Sequence, residues 1–358
     1  MKKPTTTPKK GNEKLALCLT LFFLFLQMFA YAQKNDTPEY RALTAYIDDF
    51  AKNELYIKKA LIEYSNTIVE NQLENRTKST ALRIIEKLKN INSIIKKNDQ
   101  GYKKNTLLRD SFIKMNEKTI ECMSNGTLIM NDYVSQSQLS VTEINKNLKQ
   151  RELNLKSYFD ELKAFEKSKK EFGKMNNINI KNFSGTNILE YNAFQNILFY
   201  KINVLDEKLN ATIFNINNDD FNETITAIEN TFKEVVLKTT QYKTIVKDNS
   251  LNNENVNYSN FIFTQKKKVI PLFNDFANEN KILKKLKTTT DSNSNESITL
   301  YNQTVKSYNL KKNKLFDMME TIQANKKVMY DKWFAVNRTF LKNNIKIDDI
   351  YESYTYND

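Results

Sequence analysis

Of the side chains that most often carry chemistry, this 358-residue chain has few: it contains no histidine, and its two cysteines are Cys18 and Cys122. Without histidine there is no side chain that ordinarily titrates near neutrality, and no Cys/His or His-based metal site. Five glycines in the whole chain leave no glycine-rich loop to cradle phosphates or a dinucleotide. Carboxylates remain. Glycoside cleavage needs two of them facing across a cleft, and the adjacent aspartate pairs are Asp48-Asp49, Asp219-Asp220 and Asp348-Asp349. These read as solvated helix surface or helix starts, where charged side chains are ordinarily found. A di-metal carboxylate site inside a bundle would want Glu-x-x-His motifs, which this composition forbids. No catalytic residue, metal ligand or cofactor is assigned.

A second group of residues is set apart by position. Steps of three and four from Ile298 give Tyr301, Val305, Tyr308, Lys312, Leu315, Met319, Ile322, Lys326, Met329, Trp333, Val336 and Phe340. Eleven of these thirteen are apolar in a chain that is 40% hydrophobic. The spacing therefore predicts a long helix that buries one narrow seam over about 65 Å. The seam recurs 157 residues earlier as Val141, Ile144, Leu148, Arg151, Leu155, Tyr158, Leu162, Phe165, Lys169 and Phe172, with Lys169 standing where Lys326 stands. Lys312 and Lys326 interrupt the later copy, either snorkelling at a bundle edge or lining a charged pocket between helices. Trp333 reads as core, or as a contact platform if exposed. Lys266, Lys267 and Lys268 read as solvated surface or as a contact for an anionic partner. Cys122 reads as a small buried hydrophobe in place of a reactive thiol.

Residues 1–32 have the make-up of a cleaved signal sequence: a lysine-rich start, an apolar run from Leu15 to Phe29, and Ala30-Tyr31-Ala32 before Gln33. A retained anchor is the competing reading. Removal takes five lysines and Glu13 and leaves a net charge of +9. One remaining thiol allows no internal disulfide, so stability must come from a packed core. No second stretch is long and apolar enough to span a bilayer.

The seam repeat and the scarcity of glycine and proline predict an all-α fold. Its plan is two tandem up-and-down bundles of about four helices each, with a long final helix in each half. The first bundle is placed at 33–173, a linker at 174–186, the second bundle at 187–344 and an irregular tail at 345–358. Gly173 is expected to stop the fourth helix and Pro271 to kink or divide a later one. One elongated bundle with a shared core is the alternative.

Arg109-Asp110-Ser111, Phe172 with Asn176-Asn177-Ile178-Asn179, Tyr191-Asn192 with Ile197-Leu198-Phe199-Tyr200, Asp275-Phe276, and Trp333 with Phe340-Leu341 occur in this order. In these stretches the chain resembles an uncharacterised family of exported helical surface proteins of spirochaetes and Bacteroidetes, from which it departs in being basic. The resemblance implies export, a two-part helical body and surface display, and assigns no activity. The expectation is a non-enzymatic binding or structural protein of the periplasm or cell surface of a Gram-negative-type bacterium. Its expected partner is an envelope protein or an anionic surface, not nucleic acid. A sensor-like ligand module with a polar pocket between helices is the alternative, followed by a carboxylate-based hydrolase.

Overall fold

The computed structural model describes residues 38–69, 74–125, 132–180, 186–242, 246–289 and 294–345. The expected signal sequence, the middle of the linker and all but the first residue of the tail lie outside them. Within the described residues the protein is all-α. Its helices are α1 (Pro38–Val69), α2 (Glu74–Asn98), α3 (Leu107–Ser124), α4 (Tyr133–Ser137), α5 (Val141–Met175), α6 (Thr186–Asn215), α7 (Asn218–Tyr242), α8 (Ser250–Thr289) and α9 (Asn295–Asn344).

Helix ends follow from local chemistry. Ser140 opens α5 with a reciprocal capping box to Glu143, and the Ser294 hydroxyl accepts from Ser297 N at the start of α9. Gly173 does not stop α5. The helix runs on to Met175 and ends in a Schellman turn: Asn177 takes a left-handed φ of 55°, its N–H reaches Lys174 O, and Ile178 N donates to Gly173 O at 2.9 Å. Gly173 is needed for another reason, since a Cβ there would meet the Ile178 carbonyl oxygen at 2.9 Å. Helix α3 begins only at Leu107, because Gly101, Lys103 and Lys104 hold positive φ in a turn closed by Tyr102 and Asn105. It ends at Ser124, and the short helix α4 follows. The helix α8 passes through Pro271 without dividing. Pro271 is on an exposed face, where the carbonyl it leaves unbonded can turn to water.

In the first half α1, α2, α3 and α5 pack in sequence order, and in the second half α6 to α9 do the same. The buried apolar side chains of both halves join in one cluster. The junction is made by α4 and α5 against α6, by α5 against α7, and by α1 against α9. Arg151, the basic position in the earlier seam, acts there: it pairs with Asp132 at 2.9 Å and lies over the Tyr200 ring, while Tyr200 donates to the same carboxylate at 2.6 Å.

Every seam position of α5 is buried except half-buried Arg151. In α9 the seam divides. Leu315, Met319, Ile322, Lys326, Trp333 and Phe340 are buried, whereas Ile298 through Lys312 are exposed or half-buried. Ring contacts Phe214–Phe316 and Phe221–Phe273 place the α6–α7 turn at the level of residues 316 and 273, and of the α9 residues before Leu315 only Thr304 is buried.

The Schellman turn gives a first test. Asn177→Val, a β-branched residue in left-handed geometry, is expected to lower stability by about 1–2 kcal/mol in urea melts. Asn177→Gly should stay within about 0.5 kcal/mol of the parent.

Candidate functional site

Among the polar groups of the interior are two ionic clusters and one amide network. In the first half Glu54 and Lys58 of α1 meet Glu166 and Lys169 of α5, all four buried. The Lys169 ammonium lies 2.9 Å from Glu166 Oε2 and 3.3 Å from Glu54 Oε2. Lys58 pairs with Glu54 and lies 3.4 Å from Glu166. In the second half Asp206 of α6 is held by two lysines, Lys326 of α9 at 2.6 Å and Lys266 of α8 at 3.0 Å. The second contact is an ion pair without hydrogen-bond alignment, because Asp206 Oδ1 accepts no bond; the Lys266 ammonium donates to Asn210 Oδ1 at 3.0 Å. Glu207, about a third exposed, completes this cluster at 3.2 Å from Lys326.

Burial disfavours each of these charges, and the partners outweigh it. Asp206 is fully enclosed, which alone would raise its pKa, yet Lys266 and Lys326 hold it down at about 2. Burial likewise works against the Lys169 and Lys326 ammoniums, but Glu54 with Glu166, and Asp206 with Glu207, raise both above the ordinary lysine value.

The amide network begins with a ring of three buried asparagines. Asn192 donates to Asn337 (2.6 Å), Asn337 to Asn196 (2.7 Å), and Asn196 to Asn192 (3.1 Å). Gln195 of α6 donates to Asn252 (2.8 Å) and accepts from Asn255, whose own oxygen takes the Trp333 indole N–H at 2.6 Å. The indole is buried and stacked on Phe199, ring centroids 3.7 Å apart.

Lys266, Lys326 and Trp333 are therefore core residues whose polar atoms are taken by other core residues, out of reach of a surface partner. Lys326 does line a charged space between helices, one filled by its own counter-ions. Lys267, Lys268 and Lys312 are exposed, Lys267 and Lys312 over the rings of Phe263 and Phe316. Cys122 is buried, and burial pushes its thiol up to about 11, away from nucleophilic use. Asp219 and Asp220 sit in the first turn of α7, and Asp348-Asp349 lies outside the described residues.

Asp49 borders a groove of about 640 Å³ between the N-terminal part of α1, the end of α2 and the following turn. Its other carboxylate, Asp99, is already committed: one oxygen accepts from Gly101 N at 2.6 Å and the other from the Tyr46 hydroxyl at 3.2 Å. The residues that sequence reasoning missed are Glu54, Glu166, Asp206 and the buried asparagines. The matched positions of Lys169 and Lys326 were the available signal, since a lysine on a buried seam requires a carboxylate.

Comparison with protein-family models, with curated proteins and with solved structures finds no match to this chain. No helix among the described residues is long and apolar enough to cross a membrane.

Two outcomes are expected. Because Asp206 is depressed below the ordinary carboxylate value, its stabilisation is complete above about pH 4 and disappears as pH falls toward 2, on the order of 2 kcal/mol. The raised lysines act at the other end, contributing fully below about pH 10 and less above it. Thermal melts across pH should show an acid limb that Asp206→Asn flattens. Separately, Trp333 should emit to the blue of free tryptophan. Trp333→Ala should cost about 3–5 kcal/mol, against about 0.5 kcal/mol or less for exposed Lys327→Ala.

Proposed function

We propose that this is an exported, non-enzymatic helical protein of the cell envelope that works by contact, and that the contact is made by the hairpin of α8 and α9. One observation carries the reading. Among described residues from Asn278 to Lys314 only Glu279 and Thr304 are buried, so roughly 18 Å of α8 and about 30 Å of α9 stand beyond the core. Two helices without a third bury little and still lose conformational freedom. They also keep Ile282, Leu300 and Leu310 in water. The ionic groups of the interior, by contrast, neutralise one another and serve the fold. Export rests on residues 2–32, whose pattern is that of a signal sequence; the periplasm or cell surface is the proposed location.

The groove beside Tyr46 supports a second reading, a ligand-binding module. Ile94→Trp, which fills that groove, would abolish such a function and leave the contact function intact.

A shortened chain tests the first reading. With residues 284–306 replaced by a tight turn, the bundle should melt within a few degrees of the parent, since little of what is removed is buried, and should leave the envelope fraction on cell fractionation. A shortened chain retained there at the parent level would overturn it.

A further inference from the structure

The hairpin's composition is as unusual as its exposure. Residues 278–314 hold eight lysines, no arginine and three carboxylates, a net +5 out of the chain's +13 on about a tenth of its length. Lys281, Lys284, Lys285 and Lys287 on α8, with Lys306 and Lys314 on α9, are exposed, and among the described residues none is in an ion pair with a carboxylate. Lys311 is the exception, bound to Glu279 at 2.5 Å. Set among these charges are large aliphatic side chains in water: Ile282 is 42% exposed, Leu300 51% and Leu310 69%. Leu310 has Lys306 and Lys314 one helical turn to either side, and Ile282 has Lys285 three residues on.

We infer that this hairpin docks on the anionic lipid surface of a membrane, a step that rests on the contact reading above and names its partner. A charged lipid surface attracts each lysine through a smooth potential that reaches about a Debye length, roughly 10 Å, and it demands no directed geometry. Lysine, a point charge on a flexible stem, suits that surface, whereas paired oxygens on a discrete sulfate or phosphate favour the arginine fork that is missing here. The aliphatic residues decide between polyanions. At a bilayer they enter the headgroup boundary while the neighbouring lysine stems extend to the phosphates; on a hydrated acidic polysaccharide they gain nothing. A single-stranded nucleic acid would want exposed rings to stack on. The hairpin's tyrosines Tyr301 and Tyr308 are half-buried, Tyr308 against Phe276 with ring centroids 5.3 Å apart.

The test uses the chain from Gln33 onward, which holds every described helix, and sedimentation with vesicles of phosphatidylcholine with or without phosphatidylglycerol. Binding is expected only with the anionic lipid, and it should weaken at least about tenfold as salt is raised from low to physiological strength. The combined variant Lys281→Gln, Lys284→Gln, Lys285→Gln and Lys287→Gln should lose it. Ile282→Ser with Leu310→Ser should weaken vesicle binding severalfold without changing binding to soluble heparin. All six positions are exposed, so the variants should melt with the parent, which shows that any loss is not unfolding. Absence of parent binding, binding that the lysine variant retains, or an aliphatic variant equal to the parent on vesicles overturns the lipid assignment. The contact reading stands or falls separately, on retention of the shortened chain in the envelope fraction.

Discussion

A lysine ammonium enclosed between helices must have a carboxylate within reach, because the interior neither solvates the charge nor tolerates it bare. Both halves meet this demand in the same way. The last helix of each supplies the lysine, Lys169 or Lys326, and the first helix supplies the acid, Glu54 or Asp206. An apolar seam of three-four spacing does not by itself define register, since sliding one helix past another by a turn brings similar side chains back into contact. The ion pairs remove that freedom. A slip would strand buried charges at a cost of several kcal/mol, and in the second half it would also break the asparagine ring and the Asn255–Trp333 bond.

The same repeat explains why the two long helices end differently. Val141, Ile144, Leu148 and Leu155 of α5 are buried, with α6 and α7 of the following half packed against that helix. In the matching stretch of α9, Ile298 to Lys312, only Thr304 is buried. There α8 packs against it, as in the Phe276–Tyr308 ring contact. The surface of this hairpin carries lysines and isolated aliphatic side chains.

What the sequence could reveal was periodic. The seam positions of α5 and the later part of α9, the burial of Trp333 and Cys122, and most helix limits could be read from apolar spacing and capping residues. The polar core could not. Glu54 and Asp206 look like any acid on an amphipathic helix, and attention to aspartate pairs passes over Asp206-Glu207, the one adjacent acidic pair that reaches the interior cluster. The start of α8 at Ser250 is hidden from apolar spacing, because Asn252 and Asn255 count as polar in any periodicity although both are buried. Gly173 looked like a helix stop on composition. Asn177 does that work, and only the close approach of Ile178 shows what Gly173 is for.

The most direct measurement replaces the second cluster by apolar residues of similar size, Asp206→Leu with Lys266→Met and Lys326→Met, and follows thermal melting together with the near-ultraviolet circular dichroism of Trp333. Removing three buried charges at once leaves none stranded, so the variant should remain helical and melt at or above the parent temperature. If the ion pairs fix the register of α6 against α9, its Trp333 signal should weaken and its melting should broaden as more than one packing becomes accessible. A variant that keeps the parent's sharp Trp333 signal and single cooperative transition would contradict the account, and would assign the register to the apolar seam and the amide ring alone.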